Sequence, residues 1–116
     1  MIDIDYRSRT PIYVQIVNEI ENCIIHGKLK PDDQMPSIRE LAQELGINPN
    51  TVKKSYSELE NKNIIRSIST KGTFITSKIE EIVQNKIETS FEVIQKSVDE
   101  LKMLGLSMEE IKERIK

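Results

Sequence analysis

The chain is 116 residues long, of which 37% are hydrophobic and 31% charged. This length allows one compact domain with a small appendage, and the composition is that of a folded protein rather than a disordered or fibrous one. No apolar run approaches the roughly 20 residues that cross a bilayer. The N-terminal sequence lacks the basic and apolar regions of a secretory signal. We therefore expect a cytoplasmic protein without membrane contact.

Residues able to carry enzyme or metal chemistry are few and scattered. A single cysteine, Cys23, excludes an intramolecular disulfide and a cysteine-rich metal site. It is interpreted as a small buried hydrophobic residue, with a redox sensor as the alternative. His26 beside Gly27 is typical of a helix C-terminus rather than of a metal ligand. The acidic residues form neither a cluster at metal spacing nor a nucleophile and base pair, so no catalytic residue, metal or cofactor is expected.

Positive charge is concentrated in one segment. The whole chain has 17 basic and 19 acidic residues, a net charge of -2. Residues 48–78 contain six Lys or Arg against two Asp or Glu, a net +4, whereas residues 79–116 contain six against nine, a net -3. This distribution suits one nucleic-acid-binding face and an acidic remainder.

Apolar periodicity predicts the first helix. Hydrophobic residues recur at helical spacing from Tyr13 to Ile24, and Gly27 follows as a stop, so a helix is expected over about residues 11–26. Residues 29–35 contain Pro and Asp and are expected to form a turn.

Two further helices follow with only a short link between them. Ser37 and Glu40 form a Ser-x-x-Glu capping box that begins the second helix, and Gly46 ends it. Asn48 and Pro49 are typical of an N-cap and a first helical position, and so begin the third helix.

The third helix is expected to close within residues 61–63 and a β-hairpin to follow it. Two β-branched runs, residues 64–69 and 73–77, are joined by Thr70-Lys71-Gly72. A short helix, a tight link, a second helix and a basic hairpin are the elements of a winged helix-turn-helix, whose second helix lies in the DNA major groove.

The remaining residues are predicted to form a helical tail. An apolar stripe begins at Ile79 and continues as a long helix that Gly105 ends, and Ser107 with Glu110 forms a second capping box. The fold class is therefore mainly α with a small β-hairpin, with a winged helix-turn-helix over residues 1–78 and a two-helix tail over residues 79–116.

Polar side chains at two helix starts are the candidates for DNA contact. Asn50 and Thr51 can bond bases or phosphates, the free amides of that helix end can bind a phosphate, and Lys53 and Lys54 add outward charge. Arg39 can hold a phosphate or reach a guanine. The alternative for Arg39 is an arginine stacked on the protein surface or paired with Glu40 or Glu44.

The segment from Pro11 to Thr76 resembles the GntR family of bacterial regulators, especially its small YtrA-type subfamily. The matching motifs, in this chain, are Pro11-Ile12-Tyr13-x-Gln15-Ile16, Gly27-Lys28-Leu29-Lys30-Pro31, Met35-Pro36-Ser37-Ile38-Arg39-Glu40-Leu41-Ala42, Leu45-Gly46-Ile47-Asn48-Pro49-Asn50-Thr51-Val52 and Lys71-Gly72-Thr73-Phe74. The resemblance implies a repressor that binds double-stranded operator DNA through a winged helix. With it, the predicted DNA-binding residues are Ser37, Arg39, Asn48, Asn50, Thr51, Lys53, Lys54, Lys71 and Gly72.

This sequence departs from the family pattern at three places. Asp32 stands where the family commonly has Gly, and Asp tolerates left-handed backbone better than most residues. Residues 68–70 lack an arginine that relatives often carry, which predicts a weaker contact from the wing. Pro49 removes an amide donor from the start of the third helix.

The tail is expected to form a homodimer. A long helix cannot bury an apolar stripe against itself, so the stripe needs either the DNA-binding domain or a second copy of the chain. The resemblance implies the second copy and therefore a palindromic operator. The predicted dimerisation residues are Val83, Ile87, Phe91, Ile94, Val98 and Leu101.

Two other functions fit parts of the sequence. A winged helix can serve as a protein-interaction module without binding DNA, although the charge on the third helix and wing favours DNA. A small-molecule sensor with a pocket between the tail helices is the second alternative, and the sequence leaves the existence of any effector open.

Overall fold

The computed structural model describes residues 2–116 and confirms a mainly helical protein with one small sheet. In chain order the elements are α1 (Ile12–Ile25), β1 (Gln34–Met35), α2 (Ile38–Leu45), α3 (Pro49–Asn61), β2 (Ile65–Ile68), β3 (Gly72–Ile75), α4 (Ile79–Met103) and α5 (Met108–Arg114).

The predicted capping box begins α2. The hydroxyl of Ser37 accepts a hydrogen bond from the amide of Glu40 at 3.1 Å, and the Glu40 carboxylate accepts one from the Ser37 amide at 3.2 Å. Gly46 ends the helix with φ +66°, a left-handed conformation that favours glycine. The capping box of Ser107 and Glu110 at the start of α5 is confirmed in the same way.

The sheet has three strands rather than the two of a simple hairpin. β2 and β3 pair as an antiparallel hairpin, as predicted, with Ile65 opposite Ile75 and Ile68 opposite Gly72. The expectation of a plain turn over residues 29–35 is wrong at its end, because β1 pairs antiparallel with β3 and gives the strand order β1-β3-β2. A two-residue strand is too short to show the alternation that marks strands in a sequence.

The hydrophobic core of the first part of the chain is centred on α3. Helices α1 and α2 both pack against α3, whose buried residues include Val52, Tyr56 and Leu59. The segment before α1 also takes part, because Ile2 is buried and Ile4 packs against the core. Sequence patterning gave no sign of this, since the segment has no regular structure to impose a period.

Cys23 lies on the buried face of α1 and is 5% exposed. This burial agrees with its interpretation as a small hydrophobic residue. His26 is the C-cap of the same helix, as expected.

The described chain divides into two compact units, with the division between Ile82 and Val83 inside α4. In the first unit, Ile79 is part of the core and Ile82 packs against it. In the second unit, Val98 and Ile111 are the buried apolar side chains among the residues described. None of the helices within residues 2–116 has the length and apolar character that a membrane crossing needs.

Candidate nucleic-acid interface

Three residues, Gly46 to Asn48, link α2 to α3, which is the spacing of a helix-turn-helix. Asn48 caps α3, because its Oδ1 accepts a hydrogen bond from the Asn50 amide at 2.8 Å. The Thr51 amide donates to the Asn48 carbonyl oxygen at 3.0 Å, and Pro49 has no amide proton. The expectation that the Asn50 and Thr51 amides are free is therefore wrong, and the side chains of this turn are the groups that remain for a ligand.

The side chains of the first turn of α3 differ in how freely they face solvent. Asn50 and Lys53 are exposed, whereas Thr51 is half-buried. Lys54 is exposed as well, but its Nζ lies 4.0 Å from the centroid of the Tyr13 ring of α1, within the range of a cation–π contact. Both lysines were predicted to carry outward charge. Within the described structure, Lys54 makes a cation–π contact and Lys53 does not.

Arg39 is exposed in the first turn of α2. The ion pairs found among residues 2–116 join Lys62 to Glu21 and Arg66 to Asp32, so Arg39 is paired with neither Glu40 nor Glu44. The Glu40 carboxylate instead accepts the Ser37 amide. The guanidinium of Arg39 is therefore available to an external anion.

A partly buried hydrogen bond joins the start of α2 to α3. The hydroxyl of Tyr56 donates to the Pro36 carbonyl oxygen at 2.6 Å, one residue before the Ser37 cap. Burial, and secondarily the charge of Glu40, raises the pKa of the Tyr56 phenol, so the group is a neutral donor at ordinary pH. No local sequence pattern marks this contact, because it joins residues twenty positions apart.

The wing tip is a strained turn that presents Lys71. Thr70 has φ +65° and Gly72 has φ +118°, and the Lys71 amide donates to the Ile68 carbonyl oxygen at 3.0 Å. The positive φ anticipated for Gly72 is confirmed. A β-branched residue in the left-handed region, as at Thr70, is an outlier that costs free energy.

Part of the basic charge counted in the sequence is neutralised within the chain. Arg66 on β2 pairs with Asp32 at 3.1 Å, and Lys62 pairs with the buried Glu21 at 3.3 Å. Asp32 has φ +69°, as its place at a common glycine position predicted. Four basic residues of the segment 48–78 form no ion pair within residues 2–116 and are still available to DNA: Lys53, Lys54, Lys71 and Lys78.

The candidate dimerisation residues are exposed to different degrees. Ile87, Phe91 and Ile94, on one face of α4, are 44%, 65% and 51% exposed. Val83 and Leu101 are half-buried, and Val98 is only 8% exposed within its own chain. The surface that can receive a partner is therefore the middle of the stripe, because Val98 has little area left to bury.

Comparison with known proteins agrees with this architecture. The sequence model of the bacterial regulatory proteins of the gntR family matches residues 12–75. The HTH-type transcriptional repressor YtrA of Bacillus subtilis is 38% identical over 117 residues, which cover all of this chain and 90% of the relative.

Solved structures show the same fold. A transcriptional regulator from Oenococcus oeni superposes with a TM-score of 0.77 at 36% identity, covering 95% of this chain and 92% of that one. The DNA-binding domain of AraR, solved in complex with operator ORX1, superposes with a TM-score of 0.57 at 30% identity, covering 64% of this chain and 92% of that one. The family match spans more than half of the chain and includes α2, α3 and the wing. The chain therefore belongs to the gntR family of bacterial regulatory proteins, a family of regulators and not of enzymes.

Proposed function

We propose that this chain is a transcription repressor that binds operator DNA in the bacterial cytoplasm. The observation that carries the proposal is a set of exposed polar side chains, free of ion pairs within the described residues, at three points of the winged helix. These are Arg39 in the first turn of α2, Asn50 and Lys53 in the first turn of α3, and Lys71 at the wing tip. The complex of the similar AraR domain with an operator and the repressor name of YtrA support it.

Each predicted residue takes a role that its chemistry allows. Asn50 and Thr51 read base edges in the major groove, and Arg39 bonds a phosphate or a guanine. Lys53, Lys54 and Lys71 bind phosphates. Ser37 and Asn48 retain a hydroxyl proton and an amide nitrogen for the DNA while their oxygens cap the helices. Gly72 lets the wing backbone approach the duplex.

The DNA contact is tested with a duplex that the intact chain selects from a random-sequence library. Arg39→Ala should weaken binding to this duplex by about 1 to 3 kcal/mol, or roughly 5- to 150-fold, without lowering the unfolding midpoint. Arg114→Ala, on α5, is the matched control and should bind normally. Binding by the intact chain should also weaken steeply from ~50 to ~200 mM salt, since each neutralised phosphate releases about 0.9 counterion. Failure to select any duplex, or a flat salt profile, would favour a protein-interaction module instead.

We further propose that the tail forms a homodimer through the exposed middle of α4. Ile87, Phe91 and Ile94 leave an apolar face in water in the single chain, and a second copy covers it by two-fold symmetry. A two-fold dimer calls for a palindromic operator, with half-sites about 10 base pairs apart or a multiple of that spacing. The functional division stays at residues 1–78 for DNA binding and 79–116 for dimerisation.

The dimer is tested in the full chain, because Ile79 belongs to the core of the first unit and a truncation before it would disturb that core. Phe91→Glu places a charge in the proposed interface and should convert a dimer to a monomer in sedimentation, with most operator affinity lost. Val93→Glu is the matched control, because Val93 is exposed and apolar but lies off the stripe. A dimer that survives Phe91→Glu, or an intact chain that sediments as a monomer at micromolar concentration, rules out this interface.

A further inference from the structure

Gln34 contacts the wing tip across the sheet. It is exposed on β1, opposite Phe74 of β3. Its Nε2 donates a hydrogen bond to the Lys71 carbonyl oxygen at 3.3 Å, although the two residues are 37 positions apart. Gly72 is two positions from Phe74 on the same strand, so both lie on the same face of β3 and the Gln34 side chain reaches Gly72 diagonally.

The space above Gly72 is filled by this amide. A Cβ atom added to Gly72 would lie 2.8 Å from the Nε2 atom of Gln34, so the amide at the end of this flexible side chain would have to move from its present position. The backbone of Gly72 also has φ +118°, which any other residue adopts only with strain. Glycine at position 72 therefore serves the turn and admits the Gln34 side chain as well.

The turn is closed by main-chain pairing, because Ile68 lies opposite Gly72 in the β2–β3 ladder and the Lys71 amide donates to the Ile68 carbonyl oxygen. Between these closing contacts, Thr70 is in a left-handed conformation that costs free energy. A strained and exposed turn persists in one conformation only when its surroundings restrain it. Gln34 supplies such a restraint from a separate strand.

We propose that Gln34 is a positioning residue that holds Lys71 and Gly72 in the orientation in which the wing meets DNA. Because the tip is already ordered in the free protein, less conformational entropy is lost when DNA binds, and binding is tighter. The inference rests on the proposed function, because it takes the contact of Lys71 with DNA from there. Gln34 lies outside every motif identified in the sequence.

A double-mutant cycle in the full chain, on the library-selected duplex, tests the proposal. Gln34→Ala should weaken binding roughly three- to tenfold, and Gln34→Met, which keeps the length but not the donor, should do the same. Lys71→Ala should weaken binding and lower the salt slope by about one. In the Lys71→Ala background, Gln34→Ala should cost less affinity than it does in the intact chain, since the part of its effect that acts through the Lys71 side chain is already lost. In the free protein, hydrogen exchange of the amides of residues 71–73 should be faster in Gln34→Ala than in the intact chain. Asn22→Ala, at an exposed position on α1, is the control and should change neither amide exchange nor DNA affinity.

The outcomes separate this inference from the proposed function. An equal loss from Gln34→Ala with and without the Lys71 side chain would mean that Gln34 acts independently of Lys71. A normal affinity for Gln34→Ala beside a weakened Lys71→Ala would mean that the tip needs no restraint. Either result overturns the positioning role and leaves DNA binding intact. Normal affinity of both Lys71→Ala and Arg39→Ala would instead contradict the proposed DNA-binding site.

Discussion

The phenol of Tyr56 on α3 and the backbone carbonyl of Pro36, just before α2, are joined by a 2.6 Å hydrogen bond inside the protein. This bond fixes the two helices of the helix-turn-helix at the end where Arg39 lies. The hydroxyl therefore adds a directed polar contact to the apolar packing of α2 on α3, close to the turn that carries Arg39.

Removing that hydroxyl should lower stability. Tyr56→Phe keeps the buried ring but leaves the Pro36 carbonyl without its partner, and we expect the free energy of unfolding to fall by about 1 to 3 kcal/mol. Urea denaturation measures the change. Tyr6→Phe is the matched control, because Tyr6 is exposed, and equal midpoints for the two variants would show that the bond contributes nothing.

The same phenol should make stability depend on alkaline pH. Burial, followed by the charge of Glu40, raises the pKa of Tyr56 in the folded state above its ordinary value of about 10. The unfolded chain then loses this proton first. The protonated phenol therefore contributes fully to the free energy of unfolding below pH about 10, and this contribution is lost as pH rises through the folded pKa. Unfolding free energies measured across this range should fall more steeply for the intact chain than for Tyr56→Phe, and parallel curves would contradict the assignment.

Thr70 at the wing tip should be a stabilising site for glycine. Its φ of +65° costs a β-branched residue more than it costs glycine. Thr70→Gly is expected to raise the thermal unfolding midpoint, with a gain of about 1 kcal/mol. Ser69→Gly, where φ is not positive, should give no gain. A loss of stability in Thr70→Gly would show that the threonine side chain makes a compensating interaction.

Asp32 has a strained backbone that lowers stability and an ion pair that raises it, and the two effects should nearly cancel. Asp32→Gly removes left-handed strain but also an exposed ion pair with Arg66, and such pairs contribute about 0 to 1 kcal/mol. We expect the free energy of unfolding to stay within about 1 kcal/mol of the parent value. Asp32→Ala, which keeps the strain and loses the pair, should be the less stable of the two by chemical denaturation.

The released Arg66 should tighten operator binding in Asp32→Gly at low salt, and an unchanged affinity would place Arg66 away from the DNA.

Local sequence signals predicted the parts of the fold that local chemistry determines. The capping boxes at Ser37 and Ser107, and the stop at Gly46, involve residues within three or four positions of each other. Such contacts join neighbours in the sequence, so residue types and spacing alone locate the helix-turn-helix.

Contacts between distant residues could not be predicted in this way. Strand β1 exists because β3 lies beside it, and the bonds of Gln34 to Lys71 and of Tyr56 to Pro36 depend on how the elements pack. Counting charges in the sequence likewise overstated the basic face, since Arg66 is paired in space with Asp32.

The burial of Cys23 allows its reactivity toward thiol reagents to report the opening of the protein. It is the one thiol in the sequence, and it is held on the inner face of α1, so a thiol reagent reaches it only when that face opens. The rate of labelling in native buffer then measures how often the core around α1 becomes accessible. Because no other cysteine competes, the labelling rate ranks substitutions by their effect on the opening of α1, without denaturant.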